Sequence, residues 1–413
     1  MTIGTVLAGA LIAACSGGGS DETVDSTDVA ITTPASTSIA DSVAPAISAT
    51  TEPIAATTTT TTLASATIIS PPVVYPGATW ATGDPAAAGF DTDALAALVA
   101  TTAAANSTCL VIVKDGVVVE QQSWTMAPDA PREAFSVTKS VTSVLTGIAS
   151  DDGAISLTDP AEKFIPEWRG TAAATVTITN LLTNDSGRHW DVITDYSDMA
   201  IRASDKTAFS IALAQDAPPG TTWAYNNAAI QTLSAVLESA TGQPPRDYAR
   251  NKLFDRIGMA HSEMGVDGAG TTMTFSGLRT TCLDLARFGY LMLNNGAWNG
   301  EQIVSKTYAQ RATGVSSTPL NAAYGLLFWL NRPGVIASNA AVTNGSGENT
   351  RQGQLAPGAP DDVFWALGLG NQIVAVIPSE RIVAVRMGGL PPKETPFTEA
   401  ALTNGVLDAL NRP

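Results

Sequence analysis

β-rich runs stand at both ends of the foldable part of this chain, and helix-like runs fill its middle. Cys109–Lys114 and Val117–Gln121 flank Asp115-Gly116, a dipeptide suited to a tight hairpin turn. Gly325–Leu330, Val363–Leu367, Gln372–Ile377 and Arg381–Met387 read as further strands. Between these groups, apolar residues recur at helical spacing over Ser136–Ser150, Asn227–Thr241, Asp247–Ile257 and Thr281–Leu293. Ser305 opens another short helix. Asp91–Ala104, with Leu95, Leu98 and Val99 on one face, and Thr398–Leu410 read as helices outside the strands. The order predicts an α+β fold: one antiparallel sheet built from both chain ends, flanked by helices, with a mostly helical region inserted.

The net charge of −16 argues against nucleic acid and against an anionic lipid surface as partners of the folded surface. Ile3–Ala14 is apolar but too short to cross a bilayer, which suits a signal-peptide core. It runs into Ile12-Ala13-Ala14-Cys15 and then Ser-Gly-Gly-Gly-Ser. Residues 16–70 are Ser, Thr, Ala and Pro with scattered acids, and Thr57–Thr62 are all threonine. Such a composition cannot bury enough apolar surface to order itself, so it reads as a disordered linker. The expected organisation is therefore a signal segment over 1–15, a linker over 16–70 and a folded domain over 71–413. Of three cysteines, Cys109 and Cys282 remain once Cys15 is set aside. They either pair as a disulfide in an oxidising compartment or stay as two buried thiols.

Ser136-Val137-Thr138-Lys139 opens the first internal helix. Residues three apart share a helix face, so hydroxyl and amine are neighbours. A desolvated lysine can take the serine proton. None of the other six lysines follows a serine by three places. Tyr225-Asn226-Asn227 enters a second helix; there a tyrosine can relay a proton and Asn227 can orient the lysine or a substrate carbonyl. Ala366-Leu367-Gly368-Leu369-Gly370 lies at a strand end, where glycines mark close approach of backbone to a ligand. A sheet edge there can give one oxyanion donor, with the Ser136 N–H as the other. His189 and His261 have no second His or Cys at ligand spacing, and no Gly-x-Ser-x-Gly elbow occurs. No metal site is expected.

With these motifs the chain, from Thr82 to Leu410, resembles the serine β-lactamases, the penicillin-binding DD-peptidases and their related esterases and amidases. Ser136-Val-Thr-Lys139 resembles the first motif of that superfamily. Tyr225-Asn226-Asn227 resembles the second motif of its class C and esterase branches. Asp152–Pro160, Leu181–Gly187, Pro219-Gly220 and Leu278–Gly289 are similar to flanking stretches of the same branch. Where β-lactamases and DD-peptidases carry Lys-Thr-Gly or His-Thr-Gly, this chain has Ala366-Leu367-Gly368. That departure looks more like the esterases and 6-aminohexanoate-dimer hydrolases. The N-terminal run similarly resembles a bacterial lipoprotein signal, with Cys15 the lipidated residue, although Met1–Gly4 carries no base.

The resemblance implies a cofactor-free serine hydrolase that acylates Ser136. Lys139 is the base, Tyr225 the proton relay and Asn227 the positioning amide. The N–H groups of Ser136 and Leu369, beside Gly368, form the oxyanion hole. The substrate is expected to be a small ester or amide, or a cell-wall-derived molecule. The expected location is extracytoplasmic, held to the bacterial membrane through the lipid anchor only, with a secreted form as the alternative. No oligomeric state is read from it. Rival readings are a class C-type β-lactamase or DD-peptidase, and an inactive lipoprotein that senses cell-wall peptides. Arg188 and Arg351 are the candidates to replace the missing third-motif cation.

Overall fold

The computed structural model describes residues 73–411. The signal segment with Cys15 and the linker 16–70 lie outside the described residues. The core is a six-stranded antiparallel sheet. Its strands are β1 (Ser107–Lys114), β2 (Val117–Ser123), β3 (Trp329–Leu330), β4 (Phe364–Gly368), β5 (Gln372–Ile377) and β6 (Ile382–Gly388). They lie side by side in the order β2-β1-β6-β5-β4-β3. The first hairpin thus pairs directly with the last strand, Val111 opposite Val385. The expected sheet from both chain ends is what the structure contains.

Alternation of side chains along each strand feeds two cores. Val111, Val113, Val374, Val376, Val383 and Val385 face the helical region. Leu110, Ile112, Ile373, Ala375, Ile382 and Ala384 face the terminal helices α1 (Thr92–Ala104) and α6 (Glu399–Asp408). Both faces are covered, so the strands read as unbroken apolar runs. Asp115 (φ +51°) and Gly116 (φ +85°) make the β1–β2 turn. Both torsions are positive, as a primed hairpin turn requires.

Between the sheet halves run α2 (Val137–Asp151), α3 (Asn227–Gln231), α4 (Leu233–Thr241) and α5 (Cys282–Leu293), with shorter turns between. Helix α2 is buried on every side over Val137–Ala149. Its buried serines and threonines are satisfied by backbone carbonyls and, for Ser143, by the Tyr308 hydroxyl. Ser140 Oγ donates to Leu327 O at 2.7 Å, and Thr142 Oγ1 to Thr274 O at 2.8 Å. These bonds let a polar-rich helix sit centrally, because no buried hydroxyl among them lacks a partner.

Two expected elements differ. The helix over 227–241 is broken at Thr232, whose Oγ1 turns back to Ala229 O at 2.6 Å. That bond competes with the helical ladder. The strand expected over Gly325–Leu330 survives only as β3. Leu327 sits at φ +57° and Gly325 N donates to Phe328 O, so the chain turns instead of extending.

Cys109 on β1 and Cys282 at the start of α5 are joined in a disulfide, 173 residues apart. Removing a native disulfide typically costs about 2–5 kcal/mol. The double variant Cys109→Ser/Cys282→Ser should therefore melt several degrees lower in a thermal scan. An unchanged Tm would mean the bridge contributes no stability.

Candidate active site

The short strand Arg132–Glu133 leads into the nucleophile region, pairing with Leu278–Thr280. Phe135 then takes a left-handed conformation, φ +48°. A bulky residue there is strained, and such strain recurs at active sites. The bend delivers Ser136 to the position before α2. Ser136 does not cap that helix with its side chain. Its Oγ instead accepts a hydrogen bond from Lys139 Nζ at 2.8 Å.

Lys139 is 1% exposed. Its Nζ also donates to Phe275 O at 2.8 Å and lies 4.8 Å from the centre of the Tyr225 ring. Phe275 is fixed by its neighbour: Thr274 Oγ1 donates to Ile230 O at 3.0 Å, and Thr274 N donates to Gln231 Oε1 at 2.9 Å. Helix α3, which follows the tyrosine motif, thereby helps place the lysine.

Tyr225 is held from several sides. Ala224 N donates to Asn184 O at 3.0 Å, and Asn226 N to Asn184 Oδ1 at 3.3 Å. Asn184 is left-handed at φ +60°, which brings both its oxygens to the motif. Trp190 Nε1 donates to Tyr225 O at 3.1 Å. Trp329 stacks on the Tyr225 ring at 5.6 Å, and Tyr324 meets it edge-on at 6.3 Å. Burial, and then Tyr225 itself, push the Tyr324 phenol well above its usual pKa. This explains the flanking stretch Leu181–Gly187: it carries the asparagine that frames the tyrosine.

Asn227 has a partner that sequence reasoning missed. Its Nδ2 donates to Asp195 Oδ2 at 2.7 Å. Asp195 also accepts from Ala228 N at 2.8 Å and Asn227 N at 3.3 Å, at the start of α3. A carboxylate suits the positive end of a helix. Asp195 lies on a ten-residue π-helical stretch, Ile193–Arg202, and is 1% exposed. Burial pushes its carboxyl up to about 6, against the bonds from Ala228 and Asn227 and the charge of Lys139. Nothing in the spacing of Asp191, Asp195 and Asp198 singles it out.

The third motif closes the site. An added Cβ at Gly368 would stand 2.2 Å from Ala134 O, so only glycine lets the end of β4 lie this close to the nucleophile segment. Ala366 packs in the same core as α2, so the first residue of this motif brings a methyl and no charge. Among the described residues, neither the Ser136 N–H nor the Leu369 N–H is given to a protein acceptor. Two such backbone donors can receive an oxyanion.

Other candidates fall elsewhere. Arg188 is 5% exposed and stacks on Trp168 at 4.5 Å. Its Nη2 donates to the carbonyls of Ser210, Ile211 and Leu213 at a helix C-terminus. Burial brings its pKa down to about 10, partly offset by Asp216. It is a structural cation and does not replace the third-motif lysine. Arg351, on the strand Thr350–Gly353, is exposed and bonds Gln354 O. His189 lies between Asp216 at 2.7 Å and Asp191 at 3.0 Å. Burial lowers its pKa, but those two carboxylates together raise it above the usual value. Among the described contacts neither histidine touches Ser136. Among the described residues no group of three or more His, Cys, Asp or Glu is placed to hold a metal.

The model of the beta-lactamase family matches residues 93–403. The chain is 25% identical over 219 residues to the 6-aminohexanoate-dimer hydrolase of Paenarthrobacter ureafaciens, covering 49% of this chain and 55% of that protein. It is 27% identical over 139 residues to a beta-lactamase of Pseudomonas fluorescens, covering 32% of this chain and 37% of that one. The chain thus spans about half or less of the length of these curated relatives. A Bacillus anthracis protein assigned as a 6-aminohexanoate-dimer hydrolase superposes with a TM-score of 0.61. That match has 20% identity and covers 75% of this chain and 80% of that one. At that identity the likeness establishes the fold alone.

Proposed function

The chain belongs to the beta-lactamase family, and on that premise we propose that it is a serine hydrolase cleaving an ester or amide through acyl-Ser136. The observation that carries the reading is the buried Lys139 Nζ, 2.8 Å from Ser136 Oγ and facing the Tyr225 ring. Such a contact can activate a serine.

Ser136 Oγ attacks the carbonyl carbon, and its proton passes to Lys139. The carbonyl oxygen becomes an oxyanion held by the Ser136 and Leu369 N–H groups. Tyr225 relays the proton to the leaving group as the carbonyl–leaving-group bond breaks. Asn227, itself held by Asp195, positions Lys139 or the acyl carbonyl. Water then attacks the acyl-enzyme, gives its proton to the same base, and the acid leaves with Ser136 restored. Substrate, water and these side chains balance the route.

The substrate class follows from Ala366. A charge-assisted hydrogen bond to a substrate carboxylate is worth about 1.5–3 kcal/mol. This site has a methyl there, and Arg188 is committed elsewhere. Neutral short-chain esters lack that carboxylate and lose nothing. The kcat/KM for p-nitrophenyl butyrate should exceed that for nitrocefin on the same preparation. If nitrocefin is the better substrate, the β-lactamase reading replaces this one.

The disulfide suits an oxidising compartment, which supports an extracytoplasmic enzyme. Lipidated Cys15 is proposed as its membrane anchor. Detergent-phase partitioning of the expressed protein should be lost in Cys15→Ala; partitioning that persists would remove the anchor from the proposal.

A further inference from the structure

We infer that Gln372 and Arg386 form a buried clamp that sets the turn between β4 and β5, and with it the Leu369 N–H, against the Ser136 nucleophile. This rests on the serine hydrolase reading and deepens it, because it concerns what aims one oxyanion donor.

The turn is Leu369-Gly370-Asn371, with Gly370 at φ +78° and Asn371 at φ +57°. Each of its three carbonyls is held by a buried side chain. Gln372 Nε2 donates to Leu369 O at 2.9 Å and to Gly388 O at 2.7 Å, while its Oε1 accepts from Gly388 N at 2.9 Å. Both amide hydrogens and the amide oxygen are therefore used. Arg386 Nη1 donates to Gly370 O at 2.5 Å and Asn371 O at 2.8 Å. Its Nη2 donates to Ala105 O at 2.7 Å and Gly389 O at 3.0 Å, and its Nε to Ser107 Oγ at 2.7 Å. All five guanidinium hydrogens are spent on this one junction.

Both side chains are nearly or wholly buried, at 1% and 0% exposure. Among the described ion pairs Arg386 has none. A buried cation without a carboxylate is costly for folding, and apolar residues could fill the same volume more cheaply. What it supplies here is a fixed geometry for three consecutive peptide groups. The root of the same hairpin is fixed at Gly368, against Ala134 O two residues before the nucleophile. The turn is thus pinned below by the clamp and at its root by the nucleophile segment. The donor belongs to the Gly368–Leu369 peptide, which lies between the pairing of Gly368 with Gln372 at the strand end and the clamped Leu369 carbonyl, so the groups on both sides of it are fixed. Placement of a reacting or stabilising group matters steeply: an error near 1 Å can cost about 100-fold in rate.

Gln372 and Arg386 are positioning residues: both are buried and act through the turn. The test is labelling of Ser136 by a fluorophosphonate, whose phosphoryl oxygen needs the same donors and whose reaction does not depend on the natural substrate. Gln372→Ala should lower kinact by about 10- to 100-fold with KI within twofold, measured on folded protein well below the variant's own, lowered Tm. Arg386→Lys keeps the charge with three donors instead of five, and should show a smaller loss of the same kind. A Gln372→Ala kinact within twofold of wild type overturns the clamp. So does a loss that tracks a fall in Tm and recovers on cooling, which marks a purely structural role. If wild type labels and Ser136→Ala does not, the serine hydrolase reading stands whatever the clamp variants do. If wild type does not label at all, both fall.

Discussion

Ser136→Ala should lose ester hydrolysis by about 10,000-fold or more while keeping its melting temperature. The hydroxyl is the one proposed nucleophile, so no second group takes over the acylation. The fold should survive because Ser136 forms no side-chain cap bond to α2, and replacing even a working cap costs only about 0.5–2 kcal/mol. Lys139 loses one acceptor but keeps Phe275 O. The relevant measurements are kcat/KM for p-nitrophenyl butyrate and a thermal melt of the same sample. A variant that is folded and retains a tenth of the activity would remove Ser136 from the mechanism.

Lys139→Arg should fail nearly as badly as Lys139→Ala, each by about 1,000-fold. Arginine stays protonated in a protein, so it keeps a charge and lacks a base. The site is also cut to a lysine. The Nζ is shared between Ser136 Oγ and Phe275 O at 2.8 Å each, in a pocket that leaves the residue 1% exposed. A planar guanidinium cannot repeat that geometry. The comparison of the two variants on one ester decides the role of the lysine. If Lys139→Arg keeps most of the rate, Lys139 acts as a charge partner and the proton goes elsewhere, with Tyr225 the first candidate.

Local patterns carried much of this structure. Asp115-Gly116 needs positive torsions and adopts them, so the first hairpin was legible. Ser136 and Lys139 are one helical turn apart, so their contact followed from spacing. Thr281, Ser305 and Thr398 cap helices as their side chains suggest. What stayed hidden depends on contacts far apart in the chain. Asp195 meets Asn227 across 32 positions from a π-helical stretch whose period matches no familiar template. Cys109 and Cys282 are 173 residues apart, and only the packing of β1 against α5 brings them together. Arg188 is a candidate for the missing third-motif cation in the sequence, which does not reveal its folded surroundings. Its folded neighbours are Trp168 and three carbonyls at a helix end. Helical spacing over Asn227–Thr241 does not mark the break at Thr232, where the hydroxyl bonds Ala229 O.

The most direct test of the nucleophile is peptide mapping after treatment with a fluorophosphonate. Reaction with the hydroxyl releases fluoride and leaves one phosphonyl group on the oxygen that attacked. Mass spectrometry of the digested protein should place a single adduct on Ser136, and the Ser136→Ala protein should carry none. An adduct on any other residue, or no adduct on folded wild-type protein, would contradict a serine hydrolase built on Ser136 and Lys139.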